Sequence, residues 1–121
     1  MDMAGKYVDG FVVPVPKDSI QAYKTFSEKA GRIWKEHGAL EYVECIADDV
    51  KSGKVTSFPQ SVKLEADEIV VFSWIVHKSR EDRDRVNAAV MSDPRLKMDP
   101  KSMPFDGTRM FFGGFDVLLA L

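Results

Sequence analysis

The chain has 121 residues, a length that suits one domain spanning positions 1–121. With 45% hydrophobic and 30% charged residues it can bury a core and stay in solution. A net charge of −2 and a pI of about 5.7 argue against a protein that grips a nucleic-acid backbone, which needs a basic face.

"KYVDGFVV" (Lys6–Val13) predicts a short strand. Tyr7, Asp9, Phe11 and Val13 share one face, with Val8, Gly10 and Val12 on the other. Pro14 and Pro16 should end its pairing. Residues Asp18–Gly38 predict a long helix, with Asp18 as N-cap, Gln21 completing a capping box and Gly38 as the stop. Tyr23, Phe26, Ala30, Ile33, Trp34 and His37 form its apolar stripe. Gly31 inside that helix costs roughly 1 kcal/mol relative to alanine, which points to a close contact.

"ALEYVECIA" (Ala39–Ala47) alternates as a second strand. Tyr42, Glu44 and Ile46 lie on one face, Val43 and Cys45 on the other. The polar run 48–68 should hold a turn at Ser52–Gly53 and short extended pieces. Glu68–His77 is nearly continuous hydrophobic, as in a strand covered on both faces. Ser79–Asp93 predicts a second helix capped by Ser79, with Pro94 beyond its end. Val86, Ala89 and Val90 are its buried stripe, and the mixed charges of Arg80, Arg83 and Arg85 with Glu81, Asp82 and Asp84 mark a solvated face. A Pro-punctuated loop leads to a last strand, Thr108–Phe115, and an apolar tail.

The order β-α-β-β-α-β is the ferredoxin-like pattern: an α+β fold with a four-stranded antiparallel sheet. Two helices cover one sheet face and leave the other bare. Tyr7, Phe11 and Tyr42 are expected on the bare face, too much apolar surface for a monomer. A symmetric homodimer packing sheet against sheet would cover it.

The blocks "KYVDGFVVPVP", "HGALEYVECIADDV", "FSWIVHKSREDRDRVN", "MSDPR" and "MPFDGTRMFFGGF" resemble the YbaA-like family of small uncharacterised bacterial proteins, from about Lys6 to Phe115. The resemblance implies a dimeric α/β-barrel, in which two ferredoxin-like sheets face each other. That fold is shared with cofactor-free monooxygenases, muconolactone-isomerase-like enzymes and binding modules. It brings no catalytic residues to this chain.

Asp106-Gly107 signals a turn. Gly113-Gly114 opens no helix and precedes no Lys-Ser/Thr, so it reads as a close backbone approach inside a strand and not a phosphate loop. Arg109 either pairs with Asp106 or reaches an anionic ligand. The candidate general acids or bases are Asp9, Glu44 and His77, because an acid in an apolar setting or a histidine can move protons near neutrality. Strand 3 should lie between strands 1 and 2, which puts Asp9 and Glu44 about 10 Å apart, too far to share a proton. The competing readings are interface or strand-edge hydrogen bonds for the acids and an exposed strand end for His77. His37, in the last helical turn, reads as helix-terminus chemistry. Tyr7, Tyr42, Trp74 and Arg109 are the candidate ligand-binding residues.

Cys45 is the only cysteine, which excludes an intrachain disulfide, and no Cys/His cluster has zinc spacing. Neither a metal nor another cofactor is expected. The N-terminal "MDMAGKYVDGF" has no signal-peptide pattern and no apolar run reaches about 18 residues, so a cytoplasmic protein without membrane contact is expected. The expected function is a homodimer that binds a small molecule in a cleft at the sheet face. A cofactor-free oxygenase or isomerase is the alternative, and it would need an acid or His77 to converge with Trp74 and Arg109. RNA binding ranks last.

Overall fold

The computed structural model describes residues 2–121. Four strands, β1 (Tyr7–Pro16), β2 (Glu41–Ile46), β3 (Glu68–His77) and β4 (Phe111–Asp116), form one antiparallel sheet in the order β2-β3-β1-β4. Helices α1 (Ile20–His37) and α3 (Arg80–Met91) cover one face. A short helix, α2 (Phe58–Ser61), lies in the connection before β3. This is the expected ferredoxin-like α+β order with one extra turn of helix.

β3 spans the expected residues and lies between β2 and β1, but only its helix-side face is covered throughout: on the other face Phe72 is exposed, so the expected cover on both faces is incomplete. β1 runs past both prolines to Pro16, paired with β3 throughout. β4 pairs with β1 only as far as Val12, so β1 is an edge strand from Val13 onward, where proline is tolerated. α1 begins at Ile20, behind a 3-10 turn at Lys17–Ser19, and no side chain caps it, so the expected Asp18 capping box does not form. Its end is as expected: Gly38 takes φ 126°, open to glycine and strained for other residues. Ser79 accepts from the Asp82 amide and caps α3.

The 48–68 connection holds no hydrogen-bonded turn at Ser52–Gly53. Gly53 instead packs against the Thr56 carbonyl and donates to Gln60. The connection then crosses to the helix-free face. There Val62 is buried with Val12 and Val70, and the Phe58 ring meets Phe72 edge-on. One end of that face is therefore covered by the chain itself. Among the described residues no helix is long and apolar enough to cross a membrane.

Candidate functional site

The two faces of the sheet are exchanged relative to the expectation. Tyr7, Asp9, Phe11, Tyr42 and Glu44 face the helices, while Val43 and Cys45 face away. Alternation sorts residues into two sets but does not say which set meets the helices. Both sets here are rich in aromatics, so apolar content did not separate them. The deciding partners are remote in sequence: Asp9 is met by Arg83 of α3 and Glu44 by Tyr23 of α1.

The helix-free face carries Val8, Val12, Phe72, Trp74, Phe111 and Phe115. Phe72 is 41% and Phe115 64% exposed. Across its middle, Trp74, Gly10 and Gly113 lie side by side on β3, β1 and β4. A Cβ at Gly10 would meet nothing within 4 Å, so the two glycines floor a trough of about 540 Å³ between aromatic walls. The Trp74 indole N–H donates to Glu41 at 3.1 Å.

On the inner face the candidates fall into separate clusters. Asp9 and His77 form the first, with Arg83 from α3. The Asp9 carboxylate lies 3.4 Å from His77 Nε2 and 3.5 Å from Arg83 Nε. Arg83 stacks over the Tyr7 ring and donates to its hydroxyl at 2.9 Å. His77 is fully buried, with Trp34 edge-on to its ring, so the exposed strand-end reading does not hold. A Cβ on Gly114 would overlap the Tyr7 hydroxyl and the Arg83 guanidinium. This is the close approach the glycine pair signalled.

The second cluster joins α1 to β2. The Tyr23 hydroxyl donates to Glu44, 2.7 Å from Oε2 and 3.0 Å from Oε1. The Tyr42 ring lies directly beneath Gly31, where a Cβ would come within 2.7 Å of it. Gly31 therefore lets α1 settle onto the edge strand, the close contact its helix position implied. Burial, and then the Glu44 charge, push the Tyr23 and Tyr42 phenols well above their ordinary range, so both stay protonated.

Between this cluster and α3 lies a cavity of about 300 Å³, walled by Phe11, Phe26, Ala30, Trp34, Phe105 and Met110 among others. Tyr23, Ser27, Tyr42 and Glu44 are polar residues of its lining. The same four residues also line a surface groove of about 1050 Å³ between α1 and β2. They are the partition between cavity and groove. Tyr7, Asp9, His77 and Arg83 are not among the residues lining the cavity.

Arg109 belongs to a third place. It pairs with Asp106 at 2.8 Å, as one of the expected readings had it, and also holds Glu68 through both terminal nitrogens. Its remaining contacts are the carbonyls of Val62 and Lys63. This arginine ties the loop before β4 to the segment after α2 and spends most of its N–H donors on that tie. His37 likewise bonds Asp93 at 2.8 Å and joins the ends of the two long helices.

Asp9, Glu44, Trp74 and Arg109 thus do not all converge: β3 separates the two acids, Trp74 shares the outer-face side of the sheet with Gly10 although it also borders the cavity that Glu44 lines, and Arg109 sits near the other end of the sheet. Sequence reasoning missed Tyr23 and Arg83 as partners of those acids. Arg83 had a readable signal: it stands three residues before Val86 and seven before Val90, on the buried stripe of α3 and not its solvated face. Among the described residues no group of three or more His, Cys, Asp or Glu side chains is placed to hold a metal ion.

A family model described as "Protein of unknown function (DUF1428)" matches residues 6–107. The chain is 55% identical over 114 residues to the "Uncharacterized protein YbaA" of Escherichia coli (strain K12), covering 94% of this chain and 97% of that protein. The match to the Shigella flexneri protein of the same description has the same extent. Among solved structures, a dimeric ferredoxin-like protein from an uncultured marine organism superposes with a TM-score of 0.59 at 14% identity, covering 96% of this chain and 98% of that one. An uncharacterized NIPSNAP-like domain protein from Burkholderia xenovorans gives 0.58 at 14% identity, covering 97% and 86%. These two likenesses speak for the ferredoxin-like fold alone. The family match and the 55% identity to YbaA, each across most of the chain, place this protein in the family described as "Protein of unknown function (DUF1428)".

Proposed function

We propose that the protein is a cytoplasmic homodimer, closed through the helix-free faces of its sheets, that holds a small apolar molecule in the cavity between sheet and helices. The observation that carries the binding reading is the cavity itself. It is about 300 Å³ in size, apolar on most of its wall, and shares the polar residues Tyr23, Ser27, Tyr42 and Glu44 with the surface groove. Ligand sites characteristically combine an apolar lining with a few placed polar groups. The site sits on the inner face, one layer deeper than the sheet-face cleft the sequence suggested.

Self-complementarity of the outer face supports the dimer. A two-fold interface must offer matching features on one patch. This face has a glycine-floored trough and, beside it, Trp74 and Phe115 as projections. The dimeric state of one structural relative fits the same reading. Closure of these faces would also withdraw the aromatic surface on which bases would stack, which disfavours RNA.

Sedimentation equilibrium at micromolar concentration should give about twice 13.6 kDa, and Trp74→Asp should return the mass to one chain. A wild-type mass near 13.6 kDa overturns the dimer. For binding, a thermal-shift panel of small alicyclic and aromatic ketones, alcohols and acids should contain compounds that raise the melting temperature by several degrees. Ala30→Leu, which fills the cavity, should abolish those shifts. Equal shifts in both proteins, or none across the panel, overturn the cavity as a binding site.

A further inference from the structure

The geometry points to a proton-transfer site at the Tyr23–Glu44 pair, acting on a small enolisable ketone: Glu44 is the base that takes a proton from the carbon next to the carbonyl, and Tyr23 donates to the carbonyl oxygen. This inference rests on the binding reading above and names the substrate class of the same cavity.

The first support is the company each acid keeps. The three buried acids have cationic partners: Asp9 has Arg83, Glu68 has Arg109 and Asp93 has Arg95. Those pairs account for themselves as structure. Glu44 has no Lys, Arg or His within ion-pair distance among the described residues, and its side-chain bonds come from the Tyr23 hydroxyl alone. Glu44 is partly exposed where it lines the groove between α1 and β2, so its charge keeps solvent on one side, and its one side-chain partner in the protein is a neutral donor.

The second support is the pairing with Tyr23. Its hydroxyl stands 2.7 Å from a Glu44 oxygen and stays protonated through burial, so it can give a hydrogen bond but not lose its proton at ordinary pH. A base and a neutral donor side by side on an apolar wall match the two ends of one reaction. The carbonyl oxygen and the α-hydrogen of a ketone lie one and two bonds from the carbonyl carbon, so one bound ketone can meet both groups. Ser27 and Tyr42 are further hydroxyl-bearing residues of the same partition. Apolar surroundings strengthen the hydrogen bond as charge builds on the oxygen.

The step balances without any co-reactant. The C–H electron pair becomes a new C=C bond, the carbonyl π pair moves to oxygen, and the proton goes to a Glu44 oxygen. In a β,γ-unsaturated ketone, Glu44 then returns the proton to the γ-carbon. The double bond moves into conjugation, and the carboxylate is regenerated. Substrate and product are isomers.

The test uses cyclohex-3-en-1-one as probe. Turnover is followed by the ultraviolet absorbance of the conjugated enone, and binding separately by saturation-transfer NMR. The wild type should convert the probe well above the buffer rate. Glu44→Gln should lower the rate at least about 100-fold, the usual scale of general-base catalysis, while still binding. Tyr23→Phe should lower it less. If Glu44→Gln does not fold by circular dichroism, Glu44→Asp, which keeps the charge but draws it back by one methylene, takes its place and should also slow the reaction. Binding without turnover, or turnover indifferent to Glu44, overturns the proton transfer and leaves the cavity standing. Absence of binding overturns the reading for this substrate class together with the site beneath it.

Discussion

Arg109→Met should lower the unfolding free energy by about 3 kcal/mol, because removing one partner of a buried ion pair strands the other. Glu68 is the stranded partner: only 4% of its side chain is exposed, and both of its carboxylate oxygens are held by Arg109. The carbonyls of Val62 and Lys63 lose their donor at the same time. The effect should be pH-dependent, with a definite sign. Hydrogen bonds from Arg109 hold the Glu68 carboxyl below its usual range, and bonds from Thr108 and then Arg109 bring Asp106 down to about 2. Such groups take up protons more readily in the unfolded chain, near about pH 4, than in the folded one. Their contribution is therefore complete above about pH 4 and fades as the pH falls toward about 2. Urea midpoints measured across that window should fall steeply for the wild type and less steeply for Arg109→Met. Parallel curves would show that Arg109 does not hold these acids.

Gly114→Val should be the second large effect, a loss of about 1–3 kcal/mol from overpacking, and more if the cluster cannot yield. The new Cβ would overlap the Tyr7 hydroxyl and the Arg83 guanidinium and come 2.7 Å from Tyr7 Cε2. Relief requires Arg83 to leave the Tyr7 ring, and with it the carboxylate of Asp9. Gly113→Val is the control. Its side chain would enter the outer trough, so it should spare the folding of the monomer and instead oppose assembly. Denaturant titration of the two variants separates these outcomes. Equal stability of Gly114→Val and wild type would mean the inner cluster is loosely packed.

The order of elements was readable because each one carries its own local signals: the apolar run of β3, the Ser79 cap, the Gly38 stop and the Asp106-Gly107 turn. The capping box at Asp18 failed because a 3-10 turn carries the chain into α1 and starts the helix at Ile20. The orientation of the sheet was not readable in the same way. Turning it over exchanges Tyr7, Asp9 and Glu44 for Val8, Gly10 and Cys45, and both sets look plausible beneath a helix. What decides between them is long-range: Tyr23 meets Glu44 across 21 positions, and Arg83 meets Tyr7 across 76. Arg109 was legible as a partner of Asp106, three residues away, but its bond to Glu68 spans 41 positions and left no local trace. The cavity could not be located without the sheet orientation, since its wall is assembled from α1, the inner face and the loop before β4.

The chain has two tryptophans, and the sheet divides them. Trp34 lines the inner cavity with its ring against His77, while Trp74 stands on the outer face beside the glycine trough. The molecule thus carries two intrinsic fluorophores on opposite sides of a single β-layer. With Trp74 replaced by phenylalanine, the emission of Trp34 would report on the interior alone; with Trp34 replaced, Trp74, which borders both the trough and the cavity, would report on the outer surface and on the cavity together. The proposed assembly and ligand uptake, which an ordinary melting curve would blend, would then weigh differently on the two emissions.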